Sequence, residues 1–174
     1  MAERIRGLAG CSLLQAEERD AILAAIPRRG RVLEIGTLSG ASVAYFAARR
    51  PQATFLSVDI FVKGPSPGAG SPANWLANRQ PNMRLFVGTA GELLEFSRAG
   101  VFDLVFIDGD HSKTGCRRDL RASLGLLAPG GLLAAHDYCG ERPGVIRAVD
   151  QFSAEAGFAI VKRVQSTVFL SKGT

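Results

Sequence analysis

RVLEIGTLSGASVAYFAARR, residues 31–50, runs from an apolar segment through two glycines into a stretch with helical spacing. RVLEIGT (31–37) shows no strict alternation of apolar and polar residues, which is how a strand buried on both faces of a parallel sheet reads. From Ser39, expected to cap a helix, SGASVAYFAARR puts Val43, Phe46 and Ala47 on one face, and Pro51 ends the pattern. The unit is therefore strand, glycine loop, helix. In α/β sheets such a loop lies at the carboxyl end of its strand, where ligands bind.

Working outward, similar runs recur at TFLSVDIF (54–61), MRLFVGT (83–89), FDLVFIDG (102–109) and GLLAAHD (131–137), with helical stretches between them. Strands alternating with helices mean an α/β fold with a parallel sheet. Around 113–127, Cys116, Leu120, Leu124 and Leu127 recur at helical spacing, and Pro129-Gly130-Gly131 is expected to turn the chain into the next strand. A helix is expected near 144–156. FAIVKRV (158–164) and STVFLSK (166–172) are too close for a crossover helix, so they should form an antiparallel closing hairpin. Residues 12–26 read as an amphipathic helix within an N-terminal extension (1–30). Residues 62–74, VKGPSPGAGSPAN, form a Gly/Pro/Ser-rich loop long enough to act as a lid.

At 174 residues and 47% hydrophobic content the chain suits one domain, 1–174, with a real core. The formal charge of +5 is scattered and not interleaved with aromatic residues, so no nucleic-acid partner is expected, and a small anionic molecule suits it better. Cys11, Cys116 and Cys139 are odd in number and lack C-x-x-C spacing, arguing against a disulfide framework or structural zinc. The N-terminal residues carry Glu and no long apolar run, and no stretch approaches membrane-spanning length. A soluble cytoplasmic protein with no membrane partner is expected.

The glycine loop excludes one common ligand. A dinucleotide loop needs G-x-G-x-x-G for backbone to approach a pyrophosphate. Here Leu38 stands where the close approach would need glycine, and Glu34 would put a negative charge beside phosphates. A carboxylate there suits a ligand with a cationic amino group, such as the methionine part of S-adenosylmethionine. Asp59, closing the second strand, stands where an acid can accept hydrogen bonds from both ribose hydroxyls.

On VLEIGTLSGAS, SVDIF, VGTA, FDLVFIDGDHS and LLAPGGLLAAHDY, the chain from about Val32 onward resembles the class I S-adenosylmethionine-dependent methyltransferases. The last two segments resemble the small-molecule O-methyltransferases of the catechol and macrolide-sugar type. The resemblance implies a Rossmann-like, doubly wound, seven-stranded sheet with helices on both faces, mostly parallel with an antiparallel C-terminal strand. It implies that Glu34, Gly36, Thr37 and Gly40 form the loop under the methionine moiety, and that Ser42 holds the carboxylate. Asp59 would take the ribose, Ile60 would lie beside the adenine, Thr89 and Ala90 would line its other edge, and Asp108 would border the cofactor. It also implies a divalent metal, Mg²⁺ or another hard ion, at Asp108, His136 and Asp137. His136 departs from the pattern, since relatives usually carry an acid there. An imidazole removes a charge and shifts preference toward Mn²⁺, Fe²⁺ or Zn²⁺, or abolishes the site.

His111 stands where some of these relatives carry a basic catalytic residue. A histidine titrating near neutrality can accept the proton of an attacking hydroxyl, so His111 is the candidate base, against the alternative of a surface residue capping 112–127. Asp110 reads as a loop or N-cap carboxylate, and Asp119 as the partner of nearby Arg residues. Trp75 and Phe61 either flank adenine or acceptor or pack in the core or lid. Two rivals remain, an NAD(P)-dependent oxidoreductase and a non-catalytic cofactor-binding module. The chain is short for an acceptor pocket, so either the 62–74 loop and N-terminal helix close it or a second subunit does, as a homodimer.

Overall fold

A computed structural model describes residues 14–61 and 70–173. Seven strands, β1 (Arg31–Ile35), β2 (Thr54–Asp59), β3 (Met83–Val87), β4 (Phe102–Ile107), β5 (Leu127–Ala135), β6 (Phe158–Val164) and β7 (Thr167–Lys172), form one sheet ordered β3-β2-β1-β4-β5-β7-β6. The pairs among β1 to β5 are parallel, whereas β7 runs antiparallel to both β5 and β6. The expected closing hairpin is present, turning at Gln165 and Ser166. The helices are α1 (Ala16–Ala25), α2 (Ala41–Arg49), α3 (Pro72–Asn78), α4 (Ala90–Phe96), α5 (Lys113–Leu126) and α6 (Pro143–Ala156).

The central strands are buried on both faces, and their side chains divide between two cores. Leu33, Ile35, Val105 and Ile107 pack with Leu93 of α4, Leu120 of α5 and Phe152 of α6. Val32, Leu104 and Phe106 pack on the other face with Ile22 of α1, Phe46 of α2 and Trp75 of α3. This is the helix–sheet–helix arrangement expected from the uninterrupted apolar runs. No helix among the described residues is long and apolar enough to cross a membrane.

Four local expectations need correction. Ser39 does not cap α2; Gly40 is its N-cap, in the left-handed region, and the Ser39 side chain is buried. Leu124 lies outside the core, because the buried face of α5 runs through Cys116, Leu120, Ser123 and Leu126, in better phase with a 3.6-residue period. Pro129-Gly130-Gly131 does not precede β5 but lies within it, as an irregularity where pairing jumps from Phe102↔Leu127 to Leu104↔Leu132. Finally, α3 and α4 were not anticipated. Ser71 accepts from the Asn74 N–H ahead of Pro72 at the first turn of α3, and Thr89 with Glu92 forms a capping box on α4. The start of the 12–26 helix and residues 62–69 of the lid loop lie outside the described residues.

Candidate active site

Strand order reverses between β1 and β4, so the chain leaves β1 toward α2 on one face and β4 toward α5 on the other. The gap above those strand ends is where such sheets hold ligands. Gly36 joins the two loops. Its φ is 87°, and a Cβ there would strike the Asp108 carbonyl and Gly109, so only glycine fits. Gly40 has φ 74°, and a Cβ there would collide with the Trp75 ring. Trp75, 2% exposed, is thus core packing beneath the loop and not an adenine platform. Phe61 also packs against that core.

The gap is a cavity of about 510 Å³, within the usual range for small-molecule sites. The first loop and α2 bring Glu34, Gly36, Thr37 and Ser42 to its wall, β2 brings Asp59 and Ile60, and the β4 loop brings Asp108 and His111. Gly40, Thr89, Ala90, His136 and Asp137 do not line it. At the β3 end the wall is Gly88, because Thr89 is turned to cap α4 and Ala90 is buried in the core. Sequence reasoning missed Arg118 and Asp119 of α5, which close one side of the cavity. Asp119 does pair with Arg118, at 3.5 Å, but burial outweighs that pairing and raises its carboxyl above the usual range. Asp110 is a loop carboxylate accepting from the Ser112 N–H at 2.8 Å, and Ser112, not His111, caps α5.

Glu34 is fully enclosed. Burial pushes its carboxyl up to about 8; Ser57 and Thr37 pull back, while Asp108 and Asp59 add to the rise. The Ser57 hydroxyl donates to it at 3.2 Å. A neutral acid at this depth is ready to ionise opposite a cationic group. Asp59 has a second function that its position in sequence did not reveal. Its Oδ2 accepts from the Thr37 and Leu38 N–H groups, both at 2.9 Å, and Oδ1 from the Phe61 N–H at 2.7 Å. These bonds hold Leu38 at φ 52°, a conformation costly for a branched residue. A carboxylate has about four acceptor sites, so one remains for a ribose hydroxyl.

From the cavity wall at His111 and Asp108, a chain of two histidines and three acids runs inward through Asp137 and His136 to buried Glu18. His111 Nε2 lies 2.8 Å from Asp137 Oδ2. That hydrogen bond raises the His111 pKa above its ordinary value, against burial. Burial pushes the Asp137 carboxyl up, but hydrogen bonds from His111 and His136 outweigh it and hold the group well below the carboxylate range. His136 Nδ1 lies 3.0 Å from Asp108 Oδ1, and its Nε2 lies 3.4 Å from Glu18 Oε2. Each ring nitrogen faces a carboxylate oxygen, so both carry protons. Burial opposes that charge, yet the bonds to Asp108, Asp137 and Glu18 push the pKa up to about 12.

The expected metal set does converge, with His136 Nδ1 3.0 Å from Asp108 Oδ1 and 3.6 Å from Asp137 Oδ2, but the ring meets these acids as a hydrogen-bond donor and not as a ligand beside them. Both ring nitrogens of His136 are already committed to carboxylates, Nδ1 to Asp108 and Nε2 to Glu18. Among the described residues, side-chain donors of Asp108, His111 and Asp137 also lie within 4.8 Å of one another. Of these, Asp108 Oδ1 and Asp137 Oδ2 already accept from the two histidines. An ion held by Asp108 Oδ1 at about 2.1 Å would lie within about 5 Å of the His136 Nδ1; a dication facing an imidazolium there costs about 7 kcal/mol at an effective dielectric of 20. The residues present do not fit a divalent ion.

A protein family described as "Methyltransferase domain" matches residues 33–138, more than half of the chain and all of the cavity-lining loops. The chain belongs to this family. Solved structures agree on the fold. A Staphylococcus aureus protein assigned as a caffeoyl-CoA O-methyltransferase superposes with TM-score 0.71 at 19% identity, covering 93% of this chain and 86% of that one. The O-methyltransferase NovP gives 0.71 at 14% identity, covering 94% and 82%. MycE, from the mycinamycin biosynthetic pathway and solved with Mg, S-adenosylhomocysteine and mycinamycin VI, gives 0.67 at 19% identity; the alignment covers 93% of this methyltransferase and 50% of MycE. No curated protein sequence matches significantly.

Proposed function

We propose that this methyltransferase moves a methyl group from S-adenosylmethionine to a hydroxyl oxygen of a small molecule in the cytoplasm. The observation that carries the reading is one cavity joining the Gly36 loop and buried Glu34 to His111, which Asp137 holds from behind. The cradle that a Cβ at Gly36 would fill, and an acid placed to ionise opposite an amino group, suit the methionine end of that cofactor. When bound, the cofactor supplies a methyl group on positively charged sulfur, which departs as a neutral thioether.

The chain's own residues do the rest. Glu34 ionises against the amino group, Ser42 faces the carboxylate, and Asp59 keeps the loop in shape while offering its remaining acceptor site to the ribose. Ile60 and Gly88 flank the nucleobase, with Arg118 and Asp119 beside them. Asp137 fixes His111 through Nε2, which leaves Nδ1 to take the hydroxyl proton as the new C–O bond forms and the C–S bond breaks. Oxygen as acceptor is supported by the names of the similar structures. A nicotinamide cofactor is disfavoured by Leu38 and Glu34 and by the family. A homodimer closing the mouth, and no nucleic-acid partner, belong to the same reading.

Calorimetry with S-adenosylhomocysteine tests it, and absence of binding at millimolar ligand would refute it. Binding without transfer to any of a broad panel of phenols, alcohols and sugars would point instead to a non-catalytic module.

A further inference from the structure

Glu18 is 0% exposed, although it lies on α1, outside the family match. Its Oε1 accepts from the Ser166 N–H at 3.0 Å, the Ser166 hydroxyl at 2.8 Å and the Thr167 hydroxyl at 3.1 Å. Its Oε2 takes the Gln15 N–H at 2.9 Å and faces His136. Five partners from α1, the β6–β7 turn and the end of β5 thus fix one buried carboxylate. His136 is equally fixed. Its backbone N–H bonds to the Ile107 carbonyl at 3.0 Å, and its ring spans from Glu18 to Asp108 with 5% of the side chain exposed.

We propose that the Glu18–His136 pair is an internal substitute for a divalent cation: the ring, gripped by Glu18, carries the positive charge that holds Asp108 and Asp137 in place, and the site works without metal. Asp108 then keeps its orientation at the cavity wall, and Asp137 stays turned toward His111. Glu18 and His136 are positioning residues, acting through the two acids. The catalytic part of the inference rests on the methyl-transfer reading above; the metal part does not.

The test is Mn²⁺ titration of the full chain followed by electron paramagnetic resonance. Wild type should bind no Mn²⁺ up to millimolar concentration. His136→Asp, which removes the ring and adds an acid, should gain binding at least about tenfold tighter than any in wild type. His136→Asn, closer in shape and uncharged, serves if that variant does not fold, with a gain in the same direction. Sub-millimolar Mn²⁺ binding by wild type, or no gain in either folded variant, overturns the substitution. In turnover assays, wild type dialysed against chelator should keep its rate, and Glu18→Gln should lower kcat about tenfold or more with the cofactor KM within about twofold. Loss of rate on chelation that Mg²⁺ restores, or parallel changes in kcat and KM, would overturn the positioning role. A chain that binds no S-adenosylhomocysteine refutes the functional reading while leaving the Mn²⁺ result to stand.

Discussion

Replacing Glu34 by Gln should make the cofactor-free protein more stable in alkaline solution and weaken its hold on the cofactor. Burial raises this carboxyl from 4.5 to about 8. The folded protein therefore binds the proton more tightly than the unfolded chain, and stability falls as pH rises from about 4.5, levelling off above about 8. The slope is about 1.4 kcal/mol per pH unit, so the wild type gives up at most about 5 kcal/mol across the window. The Gln variant has no proton to lose and keeps the amide near the Ser57 hydroxyl. Urea unfolding of both proteins at about pH 5 and about pH 9 measures the difference, which should be small at the lower pH and several kcal/mol in favour of the variant at the higher. Equal slopes in the two proteins would show that Glu34 is already ionised and refute the argument. A second readout ties the same proton to function. If the ligand's amino group ionises Glu34, binding of S-adenosylhomocysteine near neutral pH releases a proton, seen as a dependence of the binding heat on the ionisation enthalpy of the buffer. The Gln variant should release none and bind more weakly.

Other outcomes follow from the same geometry. Gly36→Ala, forced into positive φ and against the Asp108 carbonyl, should cost at least about 2 kcal/mol in denaturant unfolding and abolish cofactor binding; an unchanged unfolding midpoint would refute the close approach. His111→Gln should reduce kcat by about 10² or more with cofactor affinity preserved, measured by turnover and calorimetry. Because Asp137 raises the His111 pKa and the base must be neutral, the wild-type rate should climb with pH through a value above 6.5; a flat profile there would remove His111 as base. Thr89→Ala should cost about 1 kcal/mol of stability through the lost cap and leave cofactor affinity unchanged, whereas weakened binding would restore Thr89 to the adenine edge.

Much of the fold was legible because its signals are local. The apolar runs from RVLEI to STVFLSK mark their strands to within a few residues, most clearly at β1 and β4, which are buried on both faces and so carry little polar interruption. The two helices overlooked are short, and their signals are caps. Thr89 with Glu92, and Ser71 before Pro72, were present in the sequence but lay in segments read as ligand wall and loop. Gly36 was legible as part of a glycine loop, whereas its close approach to the Asp108 carbonyl, which excludes any side chain, appears only in the structure.

The sequence by itself determined the strands, the longer helices, the glycine turn, and the presence of Glu34, Asp59, Asp108 and His111 at strand ends, because each follows from periodicity or spacing within one supersecondary unit. Only the tertiary structure decided what those acids and histidines do. Glu18 meets Ser166 from 148 positions away in the chain, and no local pattern records that contact. Through it the His136 ring, expected as a metal ligand, is held between Glu18 and Asp108. Hydrogen bonds and desolvation set the charge of such groups, and both depend on partners that come together only when the sheet closes.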